Sequence, residues 1–212
     1  MERAYSKSGQ VTLGKVIMNL KKLETKELIL QTALDFSSKL GLESLSIGTL
    51  AKKVGMSKSG LFGHFNSKEK LQIMVLDYAA ENFVNNVFKP SFKKARGLPR
   101  LEAIVTNWLS WSDKTFTGGC PLISAGFEYD DRPGDIRNII LKYQDRMIES
   151  FKTTAEQAKE EGHFHKDLDT EQFAFEFYSL MLGYHLYHRL LKSENARKLH
   201  QNSFNNLIER SK

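Results

Sequence analysis

From about residue 25 to the end of the chain, apolar positions recur every three or four residues. No stretch alternates with the period of two that marks a half-buried strand. Leu28, Ile29, Ala33, Phe36 and Leu40 form the first stripe, with Thr25 placed to cap a helix and Gly41 placed to end it in the left-handed region. Ser46 is the next N-cap and opens a short helix carrying Ile47, Leu50, Ala51 and Val54. Gly55 turns the chain, Ser57 caps again, and Leu61, Phe62 and Phe65 are the apolar set of a second short helix. A longer helix starts at Asn66 or Ser67, with Glu69 in the first turn where the macrodipole favours an anion. It carries Leu71, Met74, Val75, Tyr78, Phe83, Val87 and Phe88, and the spacing predicts an end before Pro90.

The remainder has the same period. Pro99 opens a helix over 99–117 with Leu101, Ile104, Val105, Trp108, Leu109 and Trp111 on its apolar side. The irregular run Gly118-Gly119-Cys120-Pro121 follows, then a short apolar helix over 122–127 and a turn cluster at 130–134. A long helix is predicted from about 134 to 161, closed by Gly162. Asp169 or Thr170 caps another to about Lys192, and 194–210 forms the last. The fold class is therefore all-α. Residues 1–24 are basic, with no clear period and no cap, and read as a flexible arm or leader; Met18 is an alternative start. The domain boundaries that follow are an arm over 1–24, a three-helix unit over 25–72 and a helical bundle over 73–212.

Composition narrows the classes. The 212 residues are 41% apolar and 26% charged, ordinary for a folded chain and unlike a disordered one. A single cysteine, Cys120, excludes an internal disulfide framework and a thiolate-cage zinc site. The expectation is a reduced, cytoplasmic setting. No apolar run approaches the roughly 20 residues of a membrane span, and no signal-peptide pattern opens the chain. The net charge of +6 is concentrated: residues 1–75 hold twelve Lys/Arg against six Asp/Glu, and residues 76–212 hold nineteen of each. A basic first third beside a neutral remainder points to contact with a polyanion, or else to a solvated lysine-rich face.

The sequence SIGTLAKKVGMSKSGLFGHF at 46–65 decides between these. Two short helices packed at a steep angle need a small residue where they touch, a glycine in the turn and apolar grips on both sides. Ala51, Gly55 and Leu61 meet these needs, with Ile47, Leu50 and Val54 completing the seam. This is a helix-turn-helix, whose second helix enters the DNA major groove. Ser46, Thr49, Lys58 and Lys68 are the phosphate candidates, contacts that set register without reading sequence. Ser57, Ser59, Gly60, Phe62 and His64 remain for the groove-facing side. Ser57 reads equally as a plain cap, His64 as a structural helix-end residue, and Gly60 as either a close-approach or a packing position. Lys7, Lys15, Lys21 and Lys22 of the arm are candidates for a neighbouring groove or backbone, against the plainer reading of a leader.

Segment 25–77 resembles the DNA-binding domain of the TetR family of transcriptional regulators. The resemblance runs through Ser46-Ile47, Leu50-Ala51, Val54-Gly55, Ser57-Lys58, Leu61-Phe62, His64-Phe65 and Ser67-Lys68-Glu69-Lys70-Leu71. It covers about a quarter of the chain, and the neutral helical remainder is similar in architecture to the family's ligand-binding and dimerisation domain. Gly119-Cys120-Pro121-Leu122 with Asp130-Asp131-Arg132-Pro133-Gly134 resembles one branch of the family. Two departures stand out. Phe62 replaces a usual tyrosine whose hydroxyl bonds a phosphate, and Gly48 replaces a common arginine; Lys52, Lys53, Lys58 and Lys68 are available to compensate.

The resemblance implies a homodimer built from the last two helices, and double-stranded DNA with a palindromic operator as partner. It further implies an unknown small-molecule effector in a pocket enclosed by the fifth, seventh and eighth helices, released repression being the commonest logic and activation a variant of it. Trp108, Trp111, Phe151, Phe177, Met181 and His185 are the candidate lining, or else ordinary core. Cys120 reads as an inert small hydrophobe or as a redox sensor. The histidine pairs 163/165 and 185/188 have metal-compatible spacing without further ligands, so neither metal nor cofactor is expected. No nucleophile–base pair or phosphate loop appears, so no enzymatic activity is expected. The rival readings are a sequence-independent DNA-coating protein and, further off, an enzyme using the second-domain pocket.

Overall fold

The computed structural model describes residues 7–212, with side chains from residue 23. All regular structure among them is helical. The first helix, α1, spans Lys7–Leu40, so the backbone of much of the expected arm is helical and Thr25 lies inside the helix instead of capping it. No proline occurs before Pro90, so nothing in this stretch forces a break. The arm's lysines at 7, 15, 21 and 22 lie outside the described side chains. The buried stripe of α1 is Ile29, Leu30, Ala33, Leu34 and Ser37, whereas Leu28 and Leu40, expected inside, are 60% and 57% exposed. Two adjacent helical stripes were available in the sequence, and packing against α2 and α4 selected one.

Helices α2 (Ile47–Val54) and α3 (Lys58–Phe65) follow as predicted. Leu50, Ala51, Leu61 and Phe65 from them meet Ile29, Ala33 and Leu34 of α1 and Leu71 and Val75 of α4 in one buried cluster. Helix α4 (Lys68–Phe83) does not stop before Pro90. It widens through a π turn at Val84–Phe88 and ends in a last turn at Lys89–Ser91. In the π turn the Lys89 N–H reaches back to the Val84 carbonyl, so the chain is already out of α register when the proline, which has no N–H to offer, arrives.

The second unit comprises α5 (Leu98–Thr115), α6 (Pro121–Glu128), α7 (Asp135–Glu160), α8 (Thr170–His185) and α9 (Ala196–Ser211). Helix α8 ends in a second π turn, Leu186–Leu190, and a left-handed Lys192. Helix α5 is the central rod. Its Trp108 is fully buried between the edge of Phe83 (ring centroids 5.0 Å apart) and the faces of Phe151 and Tyr178 (5.9 and 6.0 Å). Asp113, near the end of the rod, accepts hydrogen bonds from the Tyr184 hydroxyl at 2.6 Å and from Arg197 at 2.7 Å, which ties α5 to α8 and α9. Among the described residues no helix is long and apolar enough to cross a membrane.

Candidate nucleic-acid interface and adjoining groove

Three serines start three consecutive helices. Ser46 Oγ accepts the Thr49 N–H at 3.0 Å, Ser57 Oγ the Gly60 N–H at 3.1 Å, and Ser67 Oγ the Lys70 N–H at 3.1 Å. Gly55 closes α2 at φ +69, and Asn66, a residue that tolerates the left-handed region, closes α3 at φ +64. Local chemistry thus sets both ends of α3. Ser46 Oγ also shares a hydrogen bond with Thr49 Oγ1 at 2.8 Å, and Ser57 Oγ with Ser59 Oγ at 3.3 Å, so the cap hydroxyls are linked to their exposed neighbours.

The burial of Leu61 and Phe65 turns the opposite side of α3 outward. Ser57, Lys58, Ser59, Gly60 and Phe62 are exposed together, Phe62 at 51%, and Thr49 of α2 is exposed beside them. A Cβ at Gly48 would sit 3.1 Å from Lys58 Cε, so the small residue where the family has arginine makes room for the Lys58 stem to cross α2. Lys58 makes no ion pair with any described residue. His64 is half-buried, with its ring 6.1 Å from that of Phe65.

Lys68 is placed differently. Its Nζ is hydrogen-bonded to Glu43, in the turn between α1 and α2. That bond, with one from the Tyr129 hydroxyl at 2.9 Å, holds the Glu43 carboxyl at about 2, far below the usual carboxylate range. Lys68 is therefore half-neutralised by an acid that stays ionised.

Glu43 belongs to a joint with the second unit that the sequence did not disclose. The Leu42 and Glu43 N–H groups both donate to the Glu128 carboxylate at the end of α6, each at 2.7 Å. Buried Gln72 donates to the Leu42 carbonyl at 2.9 Å and to the Tyr129 hydroxyl at 3.1 Å. On the other side of α6, the Thr117 N–H and hydroxyl donate to Asp35 and the Gly118 N–H donates to Ser38 Oγ. The Gly118-Gly119 pair was the only local signal: a Cβ at Gly118 would lie 1.9 Å from the Ser38 carbonyl.

Five of the six candidate lining residues of the second unit are buried in its core, the Trp108 and Trp111 Nε1 groups without a hydrogen-bond partner. Trp108, Trp111, Phe151, Phe177 and Met181 are each at most 3% exposed, and Phe151 touches Phe177 at 4.8 Å between ring centroids. His185 is half-buried beside Gly119, its Nδ1 without a hydrogen-bond partner. None of the six lines the groove of about 520 Å³ that opens between α4 and α7. That groove is walled by Phe83, Phe88, Phe92, Leu122 and Met147, with Tyr143, Arg146 and Lys89 at its polar edge. The Tyr143 hydroxyl bonds Asp77 across it, and burial plus that carboxylate push the phenol up to about 12. The aromatic core backs the groove, since Phe83 contacts Trp108 and Trp111, and Phe88 contacts Phe151. The α4 π turn supplies Val84, Asn85 and Phe88 to the same wall.

Cys120 is 1% exposed, and burial pushes its thiol up, so the thiolate that oxidants attack is disfavoured. Among the described residues no group of three or more His, Cys, Asp or Glu side chains is arranged to hold a metal. Of the last two helices, Phe173, Phe177, Tyr184, Phe204, Leu207 and Ile208 serve the chain's own core, while Leu186, Tyr187, Leu190, Leu191 and Leu199 remain exposed.

Comparison with known proteins agrees with this arrangement. Residues 29–73 match the family described as bacterial regulatory proteins, tetR family, and residues 97–204 match the tetracyclin repressor-like C-terminal domain. The nucleoid occlusion factor SlmA of Marinomonas sp. (strain MWYL1) is 27% identical over 108 residues, covering 51% of this chain and 54% of SlmA, so the match spans about half the length of that relative. Among solved structures, a TetR transcriptional regulator from Chloroflexus aurantiacus J-10-FL superposes with a TM-score of 0.78 at 23% identity, covering 89% of this chain and 94% of that one. AibR in complex with isovaleryl coenzyme A and operator DNA gives 0.64 at 22% identity, over 76% and 85% of the two chains. With a capped helix-turn-helix at its head and a family match over half its length behind it, the chain belongs to the TetR family of transcriptional regulators.

Proposed function

We propose that the chain is a dimeric repressor that leaves a palindromic operator when a small molecule occupies its second domain. The observation that carries this reading is the outward side of α3, where Ser57, Lys58, Ser59, Gly60 and Phe62 are exposed together on a helix capped at both ends. Ser46, Thr49 and Lys58 are placed to hold phosphates, Ser57, Ser59 and His64 to meet base edges, and Phe62 to meet a thymine methyl. Lys68 contributes less than its charge suggests, because Glu43 shares it.

The exposed strip of Leu186, Tyr187, Leu190, Leu191 and Leu199 is the surface for a second copy, and such pairing matches a two-fold operator. The effector site is the α4–α7 groove in preference to the packed Trp108–Phe151–Phe177 cluster, since a preformed apolar concavity with a few polar groups is what small ligands occupy. Its phenylalanine wall suits a molecule with an apolar body. The similar AibR, solved with an acyl-coenzyme A and operator DNA together, supports the two-ligand logic. A ligand acts here only through unequal affinity for the DNA-competent and DNA-released arrangements.

Selection from a random duplex pool with the full-length chain at near-physiological salt tests the reading. Enrichment of a two-fold palindrome is the expected result. Binding that follows ionic strength without sequence preference would replace it with the DNA-coating reading.

A further inference from the structure

We infer that Glu128 is a positioning residue for operator reading: its carboxylate clasps the α1–α2 turn and thereby fixes the helix-turn-helix on the second domain. The inference rests on the reading of the chain as an operator-binding regulator, and it concerns a residue of α6, outside the helix-turn-helix. Helix α1 ends at Leu40, and Gly41, at φ +88, turns the chain out of the helix. The next two amides, Leu42 and Glu43, point away from α1 and have no helical carbonyl to bond. Glu128 takes both, Oε2 from Leu42 and Oε1 from Glu43, each at 2.7 Å. Two parallel bonds to the two oxygens of one rigid, charged acceptor fix orientation as well as distance.

The surroundings are built around this contact. A Cβ at Gly41 would lie 2.9 Å from Glu128 Oε1, so the glycine provides both the left-handed turn and the space for the carboxylate. The residue after the clasp, Tyr129, donates to Glu43 at 2.9 Å and receives Gln72 at 3.1 Å, so the turn, α4 and the end of α6 meet in one knot. Helix α2 starts four residues beyond Glu43, and α3 packs on it through Leu61. A change in the pitch of the turn therefore carries the whole reading surface with it. Asp35 and Ser38, held by Thr117 and Gly118, anchor the C-terminal end of α1; Lys68, Gln72 and Tyr129 bind the turn through the Glu43 side chain and the Leu42 carbonyl, and only Glu128 takes its two backbone amides.

The test compares full-length wild type with Glu128→Gln, which keeps the size and loses the second acceptor, and Glu128→Asp, which keeps the charge and loses the reach. Three quantities are read: amide exchange at Leu42 and Glu43, affinity for the duplex enriched by the wild type, and affinity for an unrelated duplex at low salt. In both variants exchange at the two amides rises about tenfold or more while α5 amides are unchanged. Operator affinity falls about tenfold, and affinity for the unrelated duplex stays within about twofold, because the phosphate-facing lysines are untouched. A merely structural role lowers both DNA affinities together. An operator-to-unrelated ratio within about twofold of wild type in both variants overturns the inference, whether or not exchange rises. If Glu128→Gln does not fold by circular dichroism, Glu128→Asp decides alone. If the wild type enriches no operator, the regulator reading has failed, and exchange decides separately whether Glu128 holds the turn: unchanged protection in the variants overturns that too.

Discussion

Replacing His200 by leucine isolates a single buried titration. His200 lies on α9, 5% exposed, with its ring edge-on to Tyr184 at 5.6 Å and with neither ring nitrogen hydrogen-bonded. Burial, and secondarily the nearby Arg197 cation, bring its pKa down from 6.5 to about 4. Above about pH 6.5 the imidazole is neutral in both folded and unfolded chains and contributes nothing to pH dependence. Between 6.5 and 4 the unfolded chain binds a proton that the folded chain refuses, so stability falls as pH falls; below 4 the difference is constant. A separation of about 2.5 units at about 1.4 kcal/mol each amounts to about 3 kcal/mol. The assay is guanidinium unfolding of wild type and His200→Leu at one fixed protein concentration. Near pH 7.5 the two should agree within about 1.5 kcal/mol, the swap being close to volume-conserving. Near pH 4.5 the wild type should have lost about 2 to 3 kcal/mol more than the variant. Every other side chain is common to both proteins and cancels in the difference. Parallel curves across that range would refute the reasoning.

Other expectations follow from single contacts. Gly118→Ala should cost about 3 kcal/mol in chemical unfolding, because the added Cβ meets backbone at Ser38, which has no flexible end to yield. Phe151→Ala empties the stack between Trp108 and Phe177 and should cost about 3 to 5 kcal/mol in the same assay. Lys58→Ala should weaken binding to all duplexes alike and reduce the slope of log affinity against log salt by about 1; relaxed sequence preference instead would make Lys58 a base reader. Phe62→Ala should lose about 1 to 3 kcal/mol of discrimination at one thymine-bearing operator position in a base-by-base binding series.

Much of the local architecture was legible in the residues. Ser46 and Ser57 cap the helices they were expected to cap, Ser67 and Asp169 are the caps where Asn66 and Thr170 were the alternatives, and Gly41, Gly55 and Gly162 are left-handed where turns were expected. These depend on groups within four residues of one another, so no partner from elsewhere in the chain is needed. The buried face of α1 was less legible, because positions 28, 36 and 40 fit a helical stripe as well as 30, 34 and 37 do. The start of α1 escaped for a related reason: helix propensity without a cap or an apolar period leaves no mark in the sequence. Pro90 was read by its usual effect, and a π turn just before it changed that effect.

The limit of the sequence lies at contacts between distant segments. All-helical class, a basic reading head and a neutral bundle follow from period, caps and the placement of charge, each a property of neighbouring residues. Whether Trp108 and Phe151 line a cavity or fill a core depends on how four helices close around them, and the same aromatic stripe serves either end. A groove opens along α4 and α7, where Phe88 and Met147 come together across about sixty residues of chain. The clasp of Glu128 on Leu42 and Glu43 belongs to the same class: a glutamate ahead of a turn looks solvated in sequence, and becomes a joint only because folding brings two orphan amides to 2.7 Å from it.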